Sequence, residues 1–182
     1  MNYRRYREEG GTVFLTVVTH SRRAILAGEG SRPLLREAFR QVRARRPFSV
    51  EAIVLLPEHL HLLMRLPNGD ADYCVRIGAI KQTFTRAYLR EGGRPSSVSW
   101  GQHHKRSRGV WQPRFWEDTI RNAKDFRLHL DYIHLNPVKH GLPARPIDWP
   151  WSSFRRWVKA GWYEPDWAGR VELPGQVEYI EP

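Results

Sequence analysis

The order of apolar patterns along the chain predicts an α+β protein, a ferredoxin-like antiparallel sheet with helices on one face and a C-terminal extension. Two observations carry this. Period-2 and β-branched runs alternate with helical ones in the order strand, helix, strand, strand, helix, strand, helix, and the first six form a split β-α-β repeat. The two central strands are joined by only a Pro-Glu turn, which makes them hairpin neighbours.

The elements follow in order. Residues 12–19 (TVFLTVVT) are rich in β-branched side chains and predict a buried first strand. Ser31 places a hydroxyl next to Pro33 as a helix start, and Leu34, Leu35, Ala38, Phe39 and Val42 follow at helical spacing until Pro47. Residues 48–56 and 59–66 predict the hairpin strands, and Asn68-Gly69 marks the next turn. Tyr73, Ile77, Ile80, Phe84 and Tyr88 then share one face of a second helix over 72–90. Residues 91–108 are rich in Gly, Ser and basic side chains without periodicity and predict a loop. A last strand near 115–120 leads into a third helix. Asn122 is its N-cap, Asp125 lies in its first turn, Phe126, Leu130 and Ile133 form its apolar stripe, and Gly141 stops it. Pro137 should kink that helix or change its pitch at Asn136. The aromatic-rich residues 142–182 should fold back on the core as a short helix and loops.

Composition narrows the partner. Thirty Lys and Arg face 19 Asp and Glu, a formal charge of +11, which points to a polyanion. Arg76, Lys81 and Arg86 lie on the second helix opposite its apolar face, and Lys105 and Arg106 lie in the loop after it; these five are the candidate DNA contacts. A solvated surface would look the same in sequence. Cys74 is the only cysteine, so an intrachain disulfide and a zinc site of several thiolates are excluded. The leader MNYRRYREEGG lacks an apolar stretch, and no run approaches the ~18 apolar residues of a membrane span, so a cytoplasmic protein is expected.

The chemistry-bearing residues lie on two elements. His59 and His61 are two apart in the third strand, so both imidazoles project from one face while Leu60, Leu62 and Met64 enter the other. Tyr132 and Asn136 are four apart on the third helix and stand one above the other. If that helix lies under the third strand, Asn136 can add a carboxamide oxygen to the two imidazoles, a donor set suited to a divalent ion with positions left open for substrate oxygens. His129 is a weak candidate for the base that takes the phenol proton, a proton held with an ordinary pKa of ~10.

The segments LPEHLHLLMRLP, IKQTFTRAYLR, WQPRFWEDTIRNAKDFRLHLDYIHLNPVKHGL and DWPWSSFRRW together resemble the REP-associated tyrosine transposases, within the single-tyrosine HUH superfamily of DNA-nicking enzymes. The resemblance runs in order over nearly the whole chain. It implies a catalytic domain over residues 1–141, with His59 and His61 as the HUH pair, Tyr132 as nucleophile and Asn136 as third metal ligand. It also implies Mg²⁺ or Mn²⁺ as cofactor and single-stranded DNA beside hairpins of repetitive extragenic palindromes as substrate, with a monomer or a homodimer both open. Glu58 departs from the Asn or Asp more common before the pair, and its side chain is expected to point away from the metal. Two rivals remain: a non-catalytic nucleic-acid-binding protein, which needs neither Tyr132 nor the histidines, and a replication-initiation nickase of the same chemistry. A zinc nucleobase deaminase is excluded, because no Cys-x-x-C accompanies a His-x-Glu.

Overall fold

The computed structural model describes residues 8–97 and 108–168. Four strands, β1 (Thr12–Val18), β2 (Ser49–Leu55), β3 (His59–Arg65) and β4 (Trp116–Thr119), form one antiparallel sheet in the order β2-β3-β1-β4. This is the arrangement of the split repeat. The central pair registers Thr16 against His61 and Val18 against His59.

Each strand of the central pair is buried on both faces, so both faces are covered. Val13, Leu15 and Val17 of β1 and Leu60, Leu62 and Met64 of β3 face α1 (Ser31–Arg45) and α2 (Tyr73–Arg90), with Leu35, Ala38, Val42, Ile77, Ile80 and Phe84 closing that core. These are the two helices expected together on one face. The opposite face carries Phe14, Ala52, Val54 and Leu63, and is covered by α3 (Ala123–Lys139) through Leu130 and Ile133, with Phe126 at its margin. The fold therefore places helices on both sides of the sheet.

The starts and stops of the helices are set locally. Ser31 does not cap α1: Gly30 holds that position, and the amides of Ser31 and Arg32 already bond to the Gly28 carbonyl, so the hydroxyl has no end to close. Asn122 does cap α3, its Oδ1 accepting from the Asp125 amide at 2.9 Å. Pro137 does not end α3, which continues to Lys139. In the last turn the missing proline amide removes a single bond, and the helix closes through Leu142 N to Pro137 O (3.0 Å) and Gly141 N to Val138 O (2.9 Å), with Gly141 at φ +67°.

After α3 the chain returns to the outer side of β2 and forms the short α4 (Phe154–Lys159). The Leu55 amide donates to Trp151 O and the Ser153 amide to Ile53 O, both at 2.8 Å. The indoles of Trp149 and Trp157 donate to the carbonyls of Leu55 and Glu51 at 3.0 Å. An edge strand that would otherwise present open donors and acceptors is thereby paired. Phe154 and Tyr163 complete the second core, and His134 of α3 ties it to this segment through a 3.0 Å hydrogen bond with the Ser153 hydroxyl.

His134 is wholly buried, and burial, followed by the charges of Arg156 and Arg127, pushes its pKa down to about 3. The unfolded imidazole titrates near 6.5 and takes its proton first. This group therefore leaves stability unchanged above about pH 6.5 and lowers it as pH falls toward 3. Between pH 7 and 4.5 the parent should lose roughly 2 kcal/mol more in urea unfolding than His134→Gln, at most ~1.4 kcal/mol per pH unit below 6.5.

Candidate active site

β3 begins at His59, and its alternation sends the rings of His59 and His61 to the α3 side, both almost fully buried. Phe14 of β1 stacks on His61 with ring centroids 5.4 Å apart. From below, α3 brings Tyr132, whose ring meets His61 edge-on at 5.1 Å, and Asn136, which has no exposed surface. The four residues singled out in sequence, His59, His61, Tyr132 and Asn136, lie between one strand and one helix.

The imidazoles face each other through Nε2, 3.1 Å apart. Their outer nitrogens are held: Nδ1 of His59 donates to Glu58 Oε1 at 3.0 Å, and Nδ1 of His61 lies 2.8 Å from the Thr16 hydroxyl. An ionised carboxylate only accepts, so His59 carries its proton on Nδ1 and presents a bare Nε2. Glu58 does lie away from the facing nitrogens, as expected, and it orients the ring from behind. The Thr16 hydroxyl can donate or accept, so the tautomer of His61 can follow whatever sits at Nε2.

Both rings are kept neutral. Desolvation lowers the His59 pKa against the opposing pull of Glu58. Desolvation lowers that of His61 further, reinforced by the cost of placing a second positive charge beside His59, His140 and Lys139. Asn136 stands close enough to His61 to favour the imidazolium, yet neither its Oδ1 nor its Nδ2 meets a partner in hydrogen-bonding geometry. A fully buried carboxamide in that condition costs about 1–3 kcal/mol unless something binds it. Among the described residues no three His, Cys, Asp or Glu side chains gather as a metal site. The unpartnered oxygen of Asn136 is a donor of the kind that divalent ions accept beside imidazoles.

Other residues belong here that were not picked out from sequence. The His140 ring lies 5.2 Å from that of His59, and the Lys139 ammonium 5.8 Å from the centre of the Tyr132 ring. Their spacing was a usable signal, since Tyr132, Asn136, Lys139 and His140 fall at i, i+4, i+7 and i+8 of one helical stripe. Thr16 had none, because it meets His61 only through strand register. His129 is held by its Asp125 and Asp118 neighbours, 3.2 and 3.6 Å away.

The expected DNA contacts divide. Arg76 is a correction: it is 2% exposed, and its guanidinium bonds Asp70 (2.6 Å) and the carbonyls of Pro47 and Asp72. A saturated, buried guanidinium cannot also reach a phosphate. The helical wheel placed Arg76 away from the apolar stripe, but the loop carrying Asp70 folds over that side. Lys81 lines a groove of about 760 Å³ together with the exposed Arg86, Arg108 and Arg114. Its ammonium donates to Gln112 O at 2.6 Å, and burial pushes its pKa down to about 8. Lys105 and Arg106 lie outside the described residues.

Comparison with known proteins decides the family. Residues 11–136, which include all four site residues, match the family of IS200-like transposases. A REP-associated tyrosine transposase of Escherichia coli K12 is 44% identical, over 93% of this chain and 92% of that protein. The chain belongs to the REP-associated tyrosine transposases. A Haemophilus influenzae relative assigned to the same family is 42% identical, over 94% of this chain and 96% of its own length. The solved structure of a REP-associated tyrosine transposase bound to a REP hairpin superimposes with a TM-score of 0.78 at 43% identity, covering 96% of this chain and 94% of that one. The protein is accordingly a tyrosine transposase, an enzyme that cuts and transfers DNA strands. No helix among the described residues of this transposase is long and apolar enough to cross a membrane.

The corrected role of Arg76 is testable against its neighbour. Arg76→Gln should lower unfolding free energy by about 2 kcal/mol, a value reduced from that of a fully buried pair because Asp70 is partly solvated. Arg86→Gln, at an exposed position, should change stability by less than about 0.5 kcal/mol, both read from denaturant unfolding.

Proposed function

We propose that the chain is a metal-dependent endonuclease and strand transferase acting in the cytoplasm on single-stranded DNA next to REP-type hairpins, with residues 1–141 as catalytic domain and 142–182 as an extension. The observation that carries this reading is the convergence of Tyr132 and the unpartnered carboxamide of Asn136 on two neutral, back-oriented imidazoles. Hairpin DNA is the partner because the relative of 0.78 TM-score is described as bound to a REP hairpin.

In this reading His59, His61 and Asn136 hold Mg²⁺ or Mn²⁺. The ion supplies Lewis-acid withdrawal of charge from a phosphodiester, whose negative charge otherwise repels a nucleophile. The chain's own residues do the rest. Glu58 and Thr16 fix the ring planes, so the two Nε2 atoms point at one spot. Packing of the Tyr132 ring against His61 and Phe14 holds the phenol beside that spot. The phenol oxygen attacks phosphorus as its proton leaves, the bond from phosphorus to the 3′ oxygen breaks, and that oxygen takes up a proton. The product is a 5′-phosphotyrosine and a free 3′-hydroxyl. One phosphoester has replaced another, so a second strand's 3′-hydroxyl can reverse the step onto a new end without ATP. The cation of Lys139 beside the Tyr132 ring adds favourable charge for the phosphate.

Tyr132→Phe removes one hydroxyl and keeps the buried ring, so it should bind hairpin DNA as the parent does and form no adduct that survives denaturing electrophoresis. Continued cleavage, or DNA attached to another tyrosine, would overturn the assignment. EDTA should stop the parent reaction and Mn²⁺ restore it. Asn136→Ala should need more Mn²⁺ for half-maximal cleavage and be partly rescued by excess, whereas excess metal leaves Tyr132→Phe inactive. Full activity in chelator would sink the metal role.

A further inference from the structure

Two consecutive residues carry the strain in this backbone. Ser21 and Arg22, in the turn after β1, have φ of +53° and +50°, and every other positive φ among the described residues belongs to a glycine. A left-handed conformation presses Cβ against the neighbouring carbonyl, so a serine followed by an arginine adopts it only where the surroundings enforce it, and strain of this sort gathers at functional sites. The surroundings do enforce it. The Thr19 amide donates to Glu58 O at 2.8 Å, and the Thr19 hydroxyl lies 2.9 Å from the same oxygen and 2.8 Å from Arg23 O. On the other flank the His20 amide donates to Val110 O at 2.9 Å, and the Arg23 guanidinium to Arg94 O at 2.6 Å. The turn is thus tied to the residue that precedes His59 and to the segment that leads into β4.

What the turn holds in place is a charge. Nη2 of Arg22 stands 3.7 Å from Oε1 of Glu58, the oxygen that accepts from Nδ1 of His59 at 3.0 Å. At that separation the guanidinium acts on the carboxylate through its field and not through a hydrogen bond. Both side chains are more than two-thirds withdrawn from solvent, where water screens such a field less. Guanidinium, carboxylate and imidazole therefore follow one another, and the far nitrogen of that imidazole is the Nε2 turned toward His61. A carboxylate behind a ligating imidazole pushes electron density toward the ligating nitrogen and tightens its hold on a metal. A cation behind that carboxylate draws part of the density back.

We infer that Arg22 is a positioning residue of the metal centre: acting through Glu58, it limits the negative charge behind His59, so that the centre holds its divalent ion loosely and leaves that ion more electron-poor toward a phosphodiester. The inference rests on the metal-dependent reading above. Its sign sets it apart from plain support of the turn. Removing a merely supporting residue would loosen the site and weaken metal binding, whereas removing Arg22 strengthens it.

The test follows Mn²⁺ alone binding to the full chain without DNA at neutral pH, read as loss of the free-ion electron paramagnetic resonance signal. Arg22→Gln should bind Mn²⁺ several-fold more tightly than the parent, Arg22→Lys as the parent does, and Glu58→Gln about ten-fold or more weakly. Arg22→Gly, which suits a φ of +50° and removes the same charge, should also bind more tightly, so the result does not hang on one substitution folding. In the Glu58→Gln background Arg22→Gln should gain less than it does alone, because its route to His59 is gone. Weaker or unchanged binding in folded Arg22→Gln and Arg22→Gly would overturn the inference, as would an equal gain with and without Glu58, which assigns the effect to direct repulsion of the ion. His61→Ala separates this inference from the reading beneath it. If His61→Ala binds Mn²⁺ as the parent does, the metal-dependent reading fails; binding that needs His61 and is indifferent to Arg22 defeats this inference alone.

Discussion

Two imidazoles buried face to face between a strand and a helix are the constraint on which the rest of this molecule turns. Nitrogen atoms in an apolar interior are costly unless each has a partner, and at this site the fold supplies outer partners from Glu58 and Thr16 while the two Nε2 atoms have only each other. The inner side, where the Nε2 atoms and the Asn136 carboxamide converge, is left wanting a ligand. Strain of that kind persists only where the surroundings are rigid. β3 lies inside the sheet with neighbours on both sides, and α3 is closed at its start by Asn122 and at its end by the turn at Gly141.

The alternation of the central strands divides labour between the two faces. One face, with α1 and α2, is an apolar core of aliphatic and aromatic side chains that supplies much of the burial. The other carries the imidazoles and is covered by a helix that mixes apolar anchors with Tyr132 and Asn136. A polar site on the second face would weaken a fold that had only that face to pack. The C-terminal segment adds a second support by pairing with the outer side of β2 and inserting Phe154 beneath α3, so the helix that presents the nucleophile is braced by sheet and extension together.

Charge follows the same geometry. Basic side chains line grooves along the two edges of the sheet, while the buried Arg76 acts as a structural clamp on the loop after β3. Charge near the chemistry is fixed by burial, which keeps His59 and His61 uncharged and so able to offer lone pairs in a strongly basic protein.

Element order, the hairpin, the capped third helix and the pairing of His59 with His61 and of Tyr132 with Asn136 were all legible in sequence, because each rests on short-range periodicity: two residues along a strand, four along a helix, a cap three residues before its amide. Even Lys139 and His140 could have been read from the stripe that begins at Tyr132. What tertiary structure alone decided are the meetings of side chains from distant parts of the chain. Thr16 supports His61 because β1 and β3 pair in one register among several that the apolar runs would allow. Arg76 is buried because a loop folds over the polar side of α2, and the arginines of α1 line a groove because residues 150–156 return across β2 to face them. A helical wheel shows which residues share a face, but what covers that face depends on packing between segments up to a hundred residues apart, where local periodicity carries no information.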